Sequence, residues 1–193
     1  MSAVTSRVEV NGETIDLPML QDKLKRQPEL YQKEFKACYD LFKNLLPDLR
    51  DNPGKEQATI CSFLLFFCNL FDRFPKELQF LSTELINILE QYYSILHVNT
   101  REICVQCLNI LRAKNMISPT LVIPLFVKLF KCEDKKLREQ LYGVIINDIK
   151  RMNKHKKNIV VLVLTFSISI LNYRTFFMIS YKMALISLQE QHF

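Results

Sequence analysis

The residues that could do chemistry in this 193-residue sequence are few, and the clearest pair is Cys104 and Cys107. Their C-x-x-C spacing suits two zinc ligands or a redox-active dithiol. A zinc site needs four ligands, however, and the sequence offers these two no second close Cys or His pair. A thioredoxin-like site would need a β-α-β context, which is missing. Because both cysteines fall on the apolar side of a helical pattern, we interpret them as core residues.

The other candidate groups form no catalytic pattern. The three histidines, His97, His155 and His192, lie far from one another and from any matching Ser, Cys or Asp. No pair of carboxylates lies in an apolar setting. The chain has three glycines and none of the Gly-rich loops that cradle phosphates. We therefore predict a non-enzyme, with no catalytic residues, no cofactor, no metal and no small-molecule substrate.

Positive charge is the strongest chemical signal. Residues 128–157 hold ten basic and four acidic side chains, which accounts for the whole net charge of +6. No aromatic residue lies between Lys150 and Asn158, so we expect contact with phosphates and no stacking on bases. The alternative is a solvated helix end whose cations only offset the helix dipole. The predicted anion contact consists of Lys150, Arg151, Lys154, Lys156 and Lys157.

Helices must position these residues, because apolar side chains recur every three or four positions. Between Leu96 and Asn158 we predict three of them. The first begins at Asn99, with Glu102 at the spacing of a capping box. The second begins at Ser118-Pro119, and the third follows Glu133-Asp134, whose charge suits a helix N-terminus.

Upstream, a helix capped by Asp16 is predicted to end at Arg26, and a longer one to begin at Pro28 and to end at a loop formed by Pro47 and residues 51–54. The segment Gln57–Phe71 is apolar on nearly all sides, which predicts a central buried helix. Ser82, Thr83 and Glu84 are predicted to cap the next helix. The fold class is therefore all-α, an irregular HEAT- or armadillo-like solenoid of about seven helices.

The predicted domains are a flexible N-terminus at residues 1–15, a helical-repeat domain at 16–158 and an atypical hydrophobic tail at 159–193. The uncharged part of the tail, Ile159–Leu171, suggests a membrane span, but Arg174 would cost about 2.5–3.5 kcal/mol within one, and we do not favour membrane association. All six cysteines are predicted to be reduced and buried, as in the cytosol or nucleus.

Several segments carry a resemblance to a known family. They are residues 17–35 (LPMLQDKLKRQPELYQKEF), 64–78 (LLFFCNLFDRFPKEL) and 109–158, which includes LR-x-K-x-x-ISP, LFKCEDKKLR and INDIKRMNKHKKN. Over about residues 16–158 the chain resembles the N-terminal region of the severe-depolymerisation-of-actin family. The resemblance is expected to stop at Asn158 and to return weakly at residues 181–188, as a translated intron or a mis-joined gene would produce.

The resemblance implies a function that composition cannot show. Members of the family are nuclear and nucleolar helical-repeat scaffolds needed to assemble and export the large (60S) ribosomal subunit. They are also linked to actin organisation. For this chain it implies contact with the pre-60S particle, through ribosomal RNA backbone and other assembly factors. The alternative is a HEAT-type protein–protein adaptor in intracellular transport or actin regulation.

Overall fold

The computed structural model describes residues 6–154 as one β-hairpin followed by eight helices, of which one is a single turn. The strands and helices are β1 (Arg7–Val10), β2 (Glu13–Asp16), α1 (Leu17–Arg26), α2 (Gln32–Asp51), α3 (Ala58–Leu70), α4 (Pro75–Leu78), α5 (Phe80–Tyr92), α6 (Val98–Ala113), α7 (Pro119–Leu129) and α8 (Lys135–Lys154).

The long helices form three antiparallel pairs, α2 with α3, α5 with α6, and α7 with α8. Successive pairs stack so that α2, α5 and α7 form one layer and α3, α6 and α8 form the other. In the first layer α5 packs against α7, and Arg50 on α2 bonds Glu84 on α5. In the second layer α3 packs along α6, while Lys136 on α8 bonds Glu102 on α6. Each pair buries its apolar faces against its neighbours, as in helical-repeat proteins.

Helix α3 lies at the centre of the core, as its sequence predicts. It contacts α1, α2 and α6, and nine of its thirteen side chains are buried. Phe67 is the hub of an aromatic cluster, with ring centroids 5.0 Å from Phe42, 5.1 Å from Phe66 and 5.8 Å from Phe35. A helix that is apolar on all sides can be stable only when other elements cover all of those sides.

The prediction of a flexible N-terminus is wrong for residues 7–15. These residues form an antiparallel hairpin in which Val8 and Val10 are buried against the helices. The turn is Asn11-Gly12, with positive φ angles of 52° and 84°. Asn-Gly suits this two-residue turn because both residues tolerate positive φ, and the pair is a strong hairpin signal. The all-α prediction did not take this turn signal into account.

Two helix boundaries differ from the predictions. Helix α2 begins at Gln32 after a turn and continues through Pro47 to Asp51. The missing N–H of Pro47 leaves the carbonyl of Lys43 without its helical donor, but both residues are exposed, so water can replace that donor. Helix α5 begins at Phe80, before the predicted cap, and the Ser82 hydroxyl donates to the Gln79 carbonyl instead.

The capping box predicted for α6 is also wrong. The helix begins at Val98, so Asn99 and Glu102 lie inside its first turns. The Asn99 side chain donates to Glu56 Oε1 at 3.3 Å, and Glu102 accepts from Lys136 Nζ at 2.5 Å. Both side chains therefore hold neighbouring helix pairs together, because these tertiary partners compete successfully with a local cap.

Other helix starts agree with the sequence. The Asp16 carboxylate accepts the backbone N–H of Met19 at 3.0 Å and caps α1, which ends at Arg26. Helix α7 begins at Pro119, and Asp134 accepts from the first turn of α8. The helical-repeat fold class is confirmed. Among the described helices, none combines the length and the apolar character that crossing a membrane requires, and the tail at 159–193 lies outside the described residues.

Replacing Phe67 by Ala should lower the free energy of unfolding by about 3–5 kcal/mol, because a fully buried ring at the centre of the cluster leaves a cavity. Chemical denaturation followed by circular dichroism measures this loss. Leu30, 70% exposed, provides the control, since its change to Ala should alter stability by less than about 0.5 kcal/mol. Equal effects of the two substitutions would contradict the position given to α3.

Candidate functional site

One edge of the molecule carries the turns that join the two helices of each pair, and we call it the turn edge. There the His97 N–H donates to the Pro53 carbonyl at 2.8 Å, which joins the first two turns. The buried guanidinium of Arg101 donates to the Tyr93 carbonyl at 2.7 Å and approaches the Cys132 sulfur at 3.4 Å, which joins the second and third. Helices α3, α6 and α8 therefore all begin at this edge.

The structure divides the basic run of residues 128–157 into two parts. The first part lies at the turn edge, and most of its charges already have partners. Lys128 donates to the Glu90 carbonyl at 3.2 Å, and Arg138 donates to the Cys132 carbonyl at 2.6 Å. Lys136 pairs with Glu102, and Lys135 lies 3.8 Å from Glu139. These residues mainly stabilise the stacking of the helix pairs and the start of α8.

The described portion of the second part, up to Lys154, lies at the opposite edge, which we call the basic edge. Helices α6 and α8 both begin at the turn edge, and α8 is four residues longer. Lys150, Arg151 and Lys154 therefore lie level with the C-terminal end of α6 or beyond it, at about 1.5 Å per residue. Lys156 and Lys157, the other two residues of the predicted anion contact, lie outside the described residues. We call the five residues of this predicted contact the α8 cluster.

Sequence reasoning missed further cations at the basic edge. Lys25 and Arg26 end α1, Arg73 follows α3, and Lys114 ends α6. We call these four residues the corner cluster. The Lys114 ammonium donates to the Asn69 carbonyl at 2.9 Å and to the Cys68 carbonyl at 3.3 Å, and it pairs with Asp72. It thereby satisfies acceptors at the C-terminal end of α3, where the helix dipole favours a cation.

The electrostatics of the corner cluster keep Asp72 ionised. Partial burial alone would raise the pKa of this carboxyl, but the hydrogen bond and charge of Lys114, helped by the charge of Lys25, hold the pKa below its usual value. The acid is therefore negative at neutral pH. Four cations and one anion leave the corner cluster with an excess of three positive charges.

The C-x-x-C pair belongs to the interface between α3 and α6. Cys104 and Cys107 are fully buried, and the other four thiols are buried as well. Burial raises the pKa of the Cys104 thiol well above its usual value, and it does the same for Cys107, with a further contribution from neighbouring Cys68. Within residues 6–154, no three metal-ligating side chains are grouped as a metal ion would need. These thiols pack the core, as their spacing on the helix predicts.

The thiols of Cys104 and Cys107 should stay unmodified by an alkylating reagent at mildly alkaline pH while the protein is folded. Their raised pKa keeps them protonated, and burial denies access to the reagent. Peptide mass spectrometry after brief treatment measures the modification at each residue. The denatured chain, in which all six thiols should react, is the control. Rapid labelling of either residue in the folded protein would contradict the assignment to the core.

The stacked helix pairs, joined through their turns and bearing a basic edge, define a HEAT-type helical-repeat protein. A family model described as "SDA1, HEAT repeat" matches residues 66–169, more than half of the chain. The chain therefore belongs to the SDA1 family, the severe-depolymerisation-of-actin family that its sequence resembles. The match passes Asn158 and continues to residue 169, so the prediction that the resemblance stops at Asn158 is wrong.

Individual relatives agree with the family match. The "Protein SDA1 homolog" of Xenopus tropicalis is 33% identical over 144 residues, which cover 74% of this chain and 21% of the relative. The homolog of Drosophila melanogaster is 34% identical over 142 residues, 73% of this chain and 20% of the relative. "Protein sda1" of Schizosaccharomyces pombe is 28% identical over 144 residues, which cover 74% of this chain and 20% of the relative. The chain thus spans about a fifth of the length of these curated relatives.

Proposed function

We propose that this chain acts as a non-enzymatic helical scaffold in the biogenesis of the large ribosomal subunit, in the nucleus and nucleolus. Membership of the SDA1 family supports the process, and the HEAT-type fold supports the role of a scaffold. In this proposal the chain binds the pre-60S particle, where it contacts ribosomal RNA backbone and other assembly factors. Nuclear export of the particle and the link to actin organisation belong to the same proposal.

The single observation that carries the RNA contact is the position of the C-terminal end of α8, which holds Lys150, Arg151 and Lys154. The end of α8 lies at the edge opposite the paired cations of residues 128–138, away from the acids that neutralise them. A basic helix end in this position can bind several phosphates without distinguishing bases. It gives the scaffold a fixed point of attachment to RNA.

Changing all five residues of the α8 cluster to Gln should weaken binding to any RNA and should release the chain from pre-60S particles. Each phosphate contact with a single strand adds about 0.7 to the slope of log affinity against log salt, so the slope should fall by about 3.5. RNA titration at several salt concentrations measures the slope, and co-sedimentation measures particle binding. Circular dichroism should show unchanged helix content.

The control variant changes Lys55, Lys131 and Lys135 to Gln, because all three are exposed at the turn edge. It removes three charges, so the two variants are compared per charge removed. If the five-residue variant binds RNA with the parental slope, the α8 cluster is a solvated helix end and the assignment fails.

A second candidate function is the HEAT-type protein adaptor, which one observation favours. Leu30 (70% exposed), Leu121 (64%) and Met116 (44%) are large apolar side chains near the basic edge, as a protein partner would use. Salt separates the two functions, since phosphate binding weakens steeply with salt and an apolar interface does not.

A further inference from the structure

The two edges of the molecule differ in how many of their cations have acidic partners. At the turn edge, Lys136 is paired with Glu102 and Lys135 lies beside Glu139. At the basic edge, Arg26 and Arg73 are exposed, and neither forms an ion pair within residues 6–154. The corner cluster is therefore a source of uncompensated charge that the linear sequence conceals, because its members are spread over residues 25–114.

Offsetting helix dipoles does not account for all of this charge. Each helix C-terminus carries about half a negative charge, so the ends of α1, α3 and α6 together supply about 1.5. Asp72 supplies one more, and Lys114 is paired with it. Against these stand four cations, so about 1.5 positive charges remain for an external anion.

The corner cluster and the described end of α8 lie on the same edge. Lys114 ends α6, the helix between α3 and α8, and it touches the end of α3 directly. Packed helices lie about 8–10 Å apart, so the end of α3 is roughly 20 Å from the end of α8. A flexible polyanion that binds one cluster can therefore also cover the other.

We propose that Lys25, Arg26 and Arg73, next to Lys114, form a second phosphate-binding cluster, and that RNA bound at the end of α8 continues along the basic edge to the ends of α6, α3 and α1. This inference rests on the proposed function and assigns the path of the same ligand. Since the contacts are to phosphates, the path has no base preference of its own. RNA would thus cross all three helix pairs, and its path would depend on their stacking.

The test compares two triple variants that each remove three positive charges. One carries K25Q, R26Q and R73Q at the basic edge, and the other carries K55Q, K131Q and K135Q at the turn edge. Lys114 is kept, because it bonds the carbonyls that end α3. The probe is a long single-stranded oligouridylate, titrated at several salt concentrations. Chemical denaturation checks that both variants keep the parental stability.

The basic-edge variant should bind oligouridylate about tenfold or more weakly at low salt, and its salt slope should fall by about 2, the value for three lost phosphate contacts. The turn-edge variant should stay within about twofold of the parent, because equal net charge at the wrong edge makes no contact. This pair of results supports the second cluster and excludes a mere effect of net charge.

Three outcomes would overturn the inference. If only the variant with all five residues of the α8 cluster changed to Gln, the α8 variant, loses RNA binding, the second cluster is rejected and the proposed function stands. If neither the α8 variant nor the basic-edge variant loses binding, the proposed RNA contact itself fails. If the basic-edge variant binds oligouridylate normally but loses binding to polyglutamate, the corner cluster is a contact for an acidic protein segment.

Discussion

The packing of α3 along α6 is the constraint on which the rest of the structure depends. Helix α3 is apolar on nearly every side, so α1, α2 and α6 must all cover it. The contacts at its two ends then fix the direction of α6. Cys61 at the start of α3 lies 3.6 Å from Thr100 at the start of α6, while Lys114 at the end of α6 bonds the carbonyls at the end of α3. The two helices consequently run parallel, with their C-terminal ends at the same edge.

This parallel order has an electrostatic consequence. Helix C-termini favour Lys and Arg, so a layer of parallel helices brings such residues together along one edge. Each preference of a helix C-terminus for a cation is worth less than about 1 kcal/mol, but together these preferences produce a positively charged surface. The same stacking places acids next to cations at the turn edge, as Glu102 and Lys136 show. The fold thus brings Arg26 and Arg73, which have no ion pair within residues 6–154, to one edge without any one segment specifying it.

Sequence patterns predicted the helices well where apolar spacing was strong. The burial of Phe35, Cys38 and Phe42 follows the spacing of three and four on α2, and the burial of the C-x-x-C pair follows the same logic on α6. Local rules failed where a longer-range contact competed with them. Glu102 matches a capping box but accepts a hydrogen bond from Lys136 on α8. Pro47 is a separate case: it lies inside α2, where its side of the helix is exposed and water can replace the missing backbone donor.

Only one part of the candidate site, the α8 cluster, could be predicted from the sequence. The α8 cluster is visible in the sequence because its five cations lie close together along the chain, whereas Lys25 comes near Asp72 at the end of α3 only after α1 has packed against α3. The hairpin at Asn11-Gly12 could have been predicted from its turn residues, but the all-α prediction did not take them into account. The first part of the basic run in residues 128–157, which was not included in the predicted anion contact, bonds backbone carbonyls of α5 and of the turn before α8.

Lysine footprinting on the RNA-bound chain tests the central claim most directly. The rate of acetylation of each lysine is measured by mass spectrometry, with and without saturating oligouridylate. The structure predicts that Lys25, Lys150 and Lys154 at the basic edge become protected, while Lys55, Lys131 and Lys135 at the turn edge react at unchanged rates. Equal protection at both edges, or protection confined to the turn edge, would contradict the claim that stacking of parallel helices creates the RNA-binding surface.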